Sequence, residues 1–329
     1  MQIIDGIYQF QVPIPNNPLG VVNVHLLKSG GQNLLVDTGW NTPVAYDALV
    51  NQLAECGLAV TDLQTILITH IHPDHFGLAG RLARESGAKV LMHPAEAAML
   101  ELRYTHAEEM VDVMDAFFLA YGSPDMEREK FKRVSMSMLD VVSAVMPDRL
   151  VNDGDHLQVG DFDVELYWTP GHAPGHLCAY LPQQRIFISG DHVLPRISPN
   201  ISLHPQSGPN PLGDYLASLR RVENLPVEWV LPSHGQPFKD LRGRVAEIAA
   251  HHMERKQILL DALRVRELNA FEAAAKIPWR TNGVAWADLP LLTQRGAMLE
   301  ALAHIELLHY EGLVTRHEHD GRITYTAAA

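Results

Sequence analysis

The stretch that decides the fold is Ile66-Leu67-Ile68-Thr69-His70-Ile71-His72-Pro73-Asp74-His75. Its first three residues are apolar, which predicts a buried strand, and Pro73 favours a turn after that strand. His70 and His72 are two residues apart, so they point to the same side of an extended segment. Imidazoles and a carboxylate at this density indicate a metal site at the end of the strand. Zinc suits these ligands, and iron and manganese are also compatible.

Three later segments repeat the arrangement of a strand that ends in glycine beside a metal-binding side chain. They are Trp168-Thr169-Pro170-Gly171-His172, Ile188-Ser189-Gly190-Asp191 and Leu231-Pro232-Ser233-His234-Gly235. Glycine lets the backbone turn tightly, so that each side chain can enter a shared cleft. The complete set is too large for one tetrahedral zinc and suits two metals that share a carboxylate: His70, His72, Asp74, His75, His172, Asp191 and His234.

The composition is that of an ordinary globular protein. The chain has 329 residues, of which 47% are hydrophobic and 20% charged, and a formal net charge of −13. This charge repels nucleic-acid backbones at long range, although it leaves room for a small local basic site. Cys56 and Cys178 cannot form a disulfide framework, and we find no secretion signal or membrane helix. We therefore expect a cytoplasmic protein with a small-molecule substrate and no nucleic-acid or membrane partner.

Strand and helix patterns alternate along the chain and predict a layered α/β sandwich with two sheet-rich halves. Residues 95–146 differ, because Met110, Phe117 and Tyr121 recur at helical spacing, and so do Val134 and Val141. This pattern predicts a helical insertion. Its methionine and aromatic content favours a lid over an apolar ligand, and packing on the sheet or on a second subunit explains it equally well.

The tail from residue 246 has the order of a winged helix. Helices are predicted over Val245–Arg266, Ala270–Lys276 and Leu291–Glu311, followed by a β hairpin around Asp320-Gly321. From residue 250 onward the chain has nine Lys and Arg against ten Asp and Glu, so the tail lacks the basic surface of a DNA-binding domain. We expect it to form a homodimer interface or a wall of the substrate pocket.

In its motifs and their order the chain resembles the metallo-β-lactamase-fold hydrolases, over about residues 1–245. The pattern HxHxDH is present as His70-Ile71-His72-Pro73-Asp74-His75, and His172, Asp191 and His234 follow in the family's order. The resemblance implies a four-layer αβ/βα sandwich as domain 1–245, with the insertion at about 95–146 and a helical, winged-helix-like domain 246–329. The tail resembles that of relatives that include acyl-CoA thioesterase-like and nuclease-like members, within a glyoxalase II-like or thioesterase-like branch.

The resemblance also implies how the side chains divide between two divalent metal ions, most simply Zn²⁺. His70, His72 and His172 would hold the first ion, Asp74, His75 and His234 the second, and Asp191 would bridge them. A hydroxide between the ions would attack an acyl carbonyl, and Asp74 would pass a proton to the leaving group. Asp37, in Val36-Asp37-Thr38-Gly39, would support the ligands by hydrogen bonding.

Substrate contacts are predicted at four further positions. His192 follows the bridging aspartate, Asn200 and His204 lie on a loop expected to line the cleft, and Phe117 belongs to the apolar stripe of the insertion. The apolar insertion favours an acyl ester, thioester or lactone as substrate. The alternatives are a metal-dependent nuclease or phosphodiesterase, an iron-dependent redox enzyme, and a binding protein that keeps the metals without turnover.

Overall fold

The computed structural model describes residues 1–125, 132–133, 136–281 and 283–328. A first sheet contains seven strands in the order β1 to β7. Its first four strands form an antiparallel meander, and β4 to β7 run parallel. Their bounds are β1 Gln2–Ile4, β2 Ile7–Pro13, β3 Val21–Ser29, β4 Gln32–Val36, β5 Thr65–Leu67, β6 Lys89–Met92 and β7 Arg149–Leu150.

A second sheet of five strands has the order β12-β11-β10-β9-β8. Strands β8 to β11 pair antiparallel, and β12 joins β11 in parallel. Their bounds are β8 His156–Val159, β9 Phe162–Trp168, β10 Leu177–Leu181, β11 Ile186–Gly190 and β12 Trp229–Pro232. Because β11 and β12 are parallel, the residues after both strands, including Asp191 and His234, lie at the same edge of the sheet.

Helices cover the outer faces of the two sheets. The first sheet is covered by helices that include α1 (Pro43–Glu55) and α3 (Ala79–Ser86), and the second by α6 (Pro211–Val222) and α7 (Leu241–Val265). The helices before the tail are α1 Pro43–Glu55, α2 Pro73–Phe76, α3 Ala79–Ser86, α4 Pro94–Ala97, α5 Ala107–Ala120 and α6 Pro211–Val222. The result is the predicted four-layer sandwich of helix, sheet, sheet and helix.

The inner faces of the sheets share one apolar core. Leu34, Val36 and Leu67 from the first sheet pack in the same cluster as Leu166 and Ile188 from the second, and all five are almost completely buried. Alternate residues of β9 face this core, as the period-two pattern of Val164 and Leu166 requires. Burial on both faces of the central strands fixes the register that places the metal-binding motifs at one edge.

The insertion is only partly helical. Helix α5 places Val111 and Phe118 in the outer core, as the apolar stripe predicts. Val134 lies outside the described residues. Residues 132–133 and 136–137 are helical, but the predicted helix does not continue through Val141: a short 3-10 turn, Leu139–Val141, leads into irregular chain. That chain is held by backbone hydrogen bonds to the glycine-containing segment after the metal motif, which compete with helix formation.

The C-terminal region consists of three helices and a hairpin: α7 Leu241–Val265, α8 Ala270–Ala274, α9 Leu291–Tyr310, β13 Val314–His319 and β14 Arg322–Ala327. Helix α7 runs across residue 245, where the sequence places a domain boundary. The helices share one core cluster with the second sheet and α6. Within the described ranges, no helix combines the length and the hydropathy that crossing a membrane requires.

Candidate metal centre

Three imidazoles converge at the edge of the sandwich. His70 follows β5, His72 directly precedes α2, and His172 lies on the loop after β9. His72 Nδ1 lies 2.9 Å from His70 Nε2 and 3.0 Å from His172 Nε2. These three nitrogens form one of the groups whose ligand atoms all lie within 4.8 Å of one another. The structure thus brings together the side chains predicted for the first metal.

A second group lies beside the first. His234 Nε2 is 3.3 Å from Asp74 Oδ2, and His75 Nε2 is 3.8 Å from the same oxygen. Asp191 lies between the groups, because its Oδ2 is 3.6 Å from His75 Nε2 and 3.5 Å from His172 Nε2. Its Oδ1 is 3.6 Å from His234 Nε2. This is the position that a bridging carboxylate requires.

The remaining ring nitrogens have hydrogen-bond acceptors that orient the rings. His75 Nδ1 donates to Asp37 Oδ2 at 2.7 Å, His172 Nδ1 to the Asn200 carbonyl at 2.8 Å, and His234 Nδ1 to the Val21 carbonyl at 3.1 Å. Each of these contacts places the proton on Nδ1 and leaves Nε2 free to bind a cation. Asp37 therefore occupies the supporting position that the sequence predicts.

The electrostatics favour a cation. Burial and the neighbouring His75 hold the pKa of His70 well below its usual value, so that ring is neutral and offers a lone pair. Burial would also lower the pKa of His75, but Asp37, Asp74 and Asp191 raise it well above its usual value. A metal that binds His75 Nε2 must therefore compete with a proton, so metal binding at this site weakens as the pH falls.

Buried polar atoms without partners indicate a metal centre independently of the sequence motifs. His75 Nε2, His234 Nε2 and Asp191 Oδ1 are buried and have no hydrogen-bond partner among the described residues. Buried polar atoms without partners are costly. Here all three face the same small space among imidazoles and carboxylates, where a divalent cation would satisfy them together. The distribution of the ligands between two ions stays a prediction.

Sequence reasoning missed two residues that shape the centre. Glu96 is completely buried, and its carboxylate accepts hydrogen bonds from Ile71 N at 2.9 Å and Gly175 N at 2.7 Å. It therefore ties the histidine-rich turn to the loop of His172. Thr69 donates its hydroxyl to Asp37 and lies 3.1 Å from His70 Nδ1. A lone Glu or Thr carries no spacing signal, so only the fold reveals these roles.

An apolar cavity of about 330 Å³ opens beside the centre. His72 and Pro73 form one side, helix α5 supplies apolar side chains, and Arg103 and His204 are among the polar groups. The lining residues are His72, Pro73, Arg103, Tyr104, Ala107, Met110, Val111, Met114, Met138, Leu139, His204, Gln206 and Leu299. Burial lowers the pKa of His204 to about 4, so a neutral imidazole lines this part of the cavity near pH 7.

The other predicted substrate contacts lie elsewhere. His192 is completely buried, with its ring centroid 5.2 Å from that of Tyr215. The ring centroid of Phe117 is 4.5 Å from that of Tyr121. Neither His192 nor Phe117 is among the described residues that line the apolar cavity, and their role as substrate contacts stays a prediction. Asn200 contributes its carbonyl to His172 rather than its side chain to the cavity.

Comparison with known proteins defines the class to which this fold and this centre belong. The sequence model of the metallo-beta-lactamase superfamily matches residues 17–234, and the chain belongs to that superfamily. The crystal structure of a metallo-beta-lactamase family protein from Thermus thermophilus is similar to this chain, with 34% identity and a TM-score of 0.82. The match covers 99% of this chain and all of that one.

Two curated relatives are more distant. A probable metallo-hydrolase of Bacillus subtilis is 24% identical over 315 residues, which is 94% of each chain. An atrochrysone carboxyl ACP thioesterase of Aspergillus chevalieri is 26% identical over 249 residues, covering 75% of this chain and 62% of that protein. The superfamily and these relatives make the protein a metallo-hydrolase, and its reaction must be argued from the site.

Proposed function

We propose that the protein is a dinuclear metal-dependent hydrolase of acyl esters, thioesters or lactones, with acyl thioesters as its main substrates. The observation that carries this proposal is the position of the apolar cavity. The cavity begins at His72, one of the candidate ligands, and continues between Met110, Met114 and Leu299. An acyl chain in this cavity would leave its carbonyl carbon at the centre, and thioesterase activity in one relative supports the same reaction.

In this proposal the candidate ligands are divided between two ions as the family pattern implies. His70, His72 and His172 would hold one ion, Asp74, His75 and His234 the other, and Asp191 would contact both. When bound, two divalent cations supply Lewis acidity and an activated water molecule. In the overall reaction the acyl C–S bond breaks, a C–O bond to water forms, and the thiol leaves with a proton.

The protein's own groups would position the substrate and move the proton. Asp74 keeps 17% of its side chain exposed, against 10% for Asp191, so it is the carboxylate of the centre more accessible to a leaving group. Arg103 lies at the wall of the cavity, beside Tyr104. A guanidinium there attracts the polar carbonyl end of an acyl substrate, while the methionines adapt to its chain.

The test is a panel of substrates with one acyl group and three leaving groups. Protein loaded with zinc, manganese or iron is assayed on an acyl thioester, a p-nitrophenyl ester and a lactone, with a phosphodiester as the fourth substrate. We expect metal-dependent hydrolysis that is fastest on the thioester. Metal-dependent cleavage of the phosphodiester alone would favour the nuclease alternative, and turnover only with iron and oxygen would favour the redox alternative.

A further inference from the structure

A second and larger depression, the arginine groove, lies between the hydrolase fold and the C-terminal helices. Its volume is about 730 Å³. The loop 196–200, helix α7, the segment 277–281 and helix α9 form its walls. Helix α9 borders both depressions, because Leu299 lines the apolar cavity whereas Gly296 and Glu300 line the groove. The groove is therefore placed to receive part of a molecule whose other end occupies the apolar cavity.

The groove is locally basic in an acidic protein. Two of its arginines are neutralised, since Arg244 pairs with Glu247 at 2.8 Å and Arg255 pairs with Glu300. Arg196 and Arg280 are exposed and have no ion pair or hydrogen bond among the described residues. Among the described residues that line the groove, Glu254 is the only carboxylate outside these ion pairs. Because the whole chain carries −13, this local excess of positive charge favours a small anionic ligand.

An aromatic surface lies beside the free arginines. Trp279 is half-buried in the groove, and its indole nitrogen donates to the Ala274 carbonyl at 2.8 Å, which fixes the orientation of the ring. The Arg255 guanidinium lies 4.6 Å from the ring centroid. A fixed indole provides a stacking surface for a nucleobase, and arginine forks match phosphate oxygens. Together these groups have the chemistry that recognises a phosphorylated nucleoside.

The groove is connected to the metal centre through one loop. Asn200 lines the groove, and its carbonyl oxygen accepts the hydrogen bond from His172 Nδ1 at 2.8 Å. Arg244 holds the same loop by donating to the carbonyls of Leu194 and Ile197, at 2.6 Å and 2.9 Å. A ligand bound in the groove therefore lies against the residue that orients a candidate metal ligand.

We infer that the arginine groove binds the phosphorylated nucleoside of an acyl-coenzyme A substrate. The acyl chain lies in the apolar cavity, the thioester at the metal centre, and the phosphates against Arg196 and Arg280. This inference rests on the proposed thioester hydrolysis. Two free arginines suit a few phosphates, whereas nucleic acids are held through many phosphate contacts.

The first experiment compares two thioesters of the same acyl group, one of coenzyme A and one of N-acetylcysteamine, which lacks the nucleoside and its phosphates. The readout is the ratio of the two kcat/KM values in the metal-loaded protein. In the double variant Arg196→Gln/Arg280→Gln we expect this ratio to fall at least about tenfold, since each arginine loses a charge-assisted hydrogen bond to phosphate. Arg220→Gln removes an exposed arginine on α6, outside the groove, and is the matched control.

The second experiment blocks the groove without relying on charge. A Cβ added at Gly296 meets nothing within 4 Å, so a larger side chain there extends into open space. Calorimetric titration with free coenzyme A should show binding to the wild type and to Gly296→Ala, and lost binding in Gly296→Trp. An unchanged ratio in the double arginine variant, together with unchanged binding in Gly296→Trp, would overturn the inference.

Other occupants of the groove give other results. If the arginine variant slows hydrolysis of an acyl carrier protein thioester but not of acyl-coenzyme A, the groove serves a protein partner and the inference is wrong. Binding of a single-stranded oligonucleotide in place of coenzyme A overturns it as well. If the wild type cleaves neither thioester, the proposed reaction fails, and the calorimetric titration still decides separately whether the groove binds the nucleoside phosphates.

Discussion

Replacing Asp37 by asparagine should weaken the second metal site without disturbing the fold. Asp37 has a backbone φ of 63°, a region that asparagine also tolerates, so the substitution adds no backbone strain. Its carboxylate accepts hydrogen bonds from Thr69 N at 2.9 Å and from His75 Nδ1 at 2.7 Å. Asparagine has only one acceptor oxygen. Its NH₂ group must therefore face one of these two donors, and one of the two hydrogen bonds is lost.

The size of the effect follows from the contact that is lost. A hydrogen bond to a charged group contributes about 1.5–3 kcal/mol. Loss of an outer partner of a metal-binding histidine typically lowers metal affinity about 10–100-fold, which is consistent with that range. Because His75 belongs to the group with Asp74 and His234, the loss should fall on that site. The group of His70, His72 and His172 should keep most of its affinity.

The assay is a titration of metal-free protein with zinc in competition with a chelating dye. It gives separate affinities for the more tightly and the more weakly bound zinc ion. Asp163→Asn is the matched control, because Asp163 accepts from His156 Nδ1 at 2.8 Å in an exposed histidine–aspartate pair, and neither residue belongs to the groups of candidate ligands. The reasoning would be refuted if Asp37→Asn bound both zinc ions as tightly as the wild type does. It would also be refuted if Asp163→Asn lost as much zinc affinity as Asp37→Asn.

Four further predictions can be tested on single variants. Asp191→Ala should reduce thioester hydrolysis to background with little change in Tm, and full activity would refute a shared ligand. Gly296→Ala should stabilise helix α9 by about 0.5–1 kcal/mol in urea unfolding, because alanine is the better helix former and its Cβ meets nothing. Arg295→Met should cost about 3 kcal/mol in the same assay, since Arg295 is completely buried and lies 3.5 Å from Asp115; a loss below about 1 kcal/mol would contradict this. Met114→Trp should fill the apolar cavity, so kcat/KM should fall at least tenfold for long acyl chains and little for acetyl thioesters; an equal change for both would show that the cavity does not hold the acyl chain.

The sandwich and the ligand cluster could be predicted because the sequence marks the ends of the strands clearly. Each candidate ligand stands directly after an apolar run or within a short turn containing glycine or proline, as His172 and His234 do. The strands that precede these turns are buried, which fixes their register and brings their ends to one edge. The positions of Asp74, His75 and Asp191 follow from that edge.

The contacts between distant segments could not be predicted in the same way. Glu96 supports the centre through two backbone donors that are 25 and 79 residues away in sequence. No periodicity connects such residues, because each contact depends on how the loops cross above the sheet. The same limit applies to Asn200, whose carbonyl rather than its amide serves the centre.

The wall of the apolar cavity shows why a helical pattern was misleading in the second half of the insertion. Ser143 N donates to the Gly77 carbonyl at 2.7 Å, and Gly80 N donates to the Ser143 carbonyl at 2.8 Å. A Cβ at Gly80 would lie 2.4 Å from the Ser143 carbonyl, so this close approach requires glycine. These backbone hydrogen bonds between two segments take the place of the hydrogen bonds of a helix. Because Gly77 follows His75 by two residues, the turn that presents the ligands also anchors the segment that carries Met138 and Leu139 into the cavity. The cavity wall and the metal centre thus share these two hydrogen bonds, and a change in Gly77 or Gly80 should alter acyl selectivity as well as metal binding.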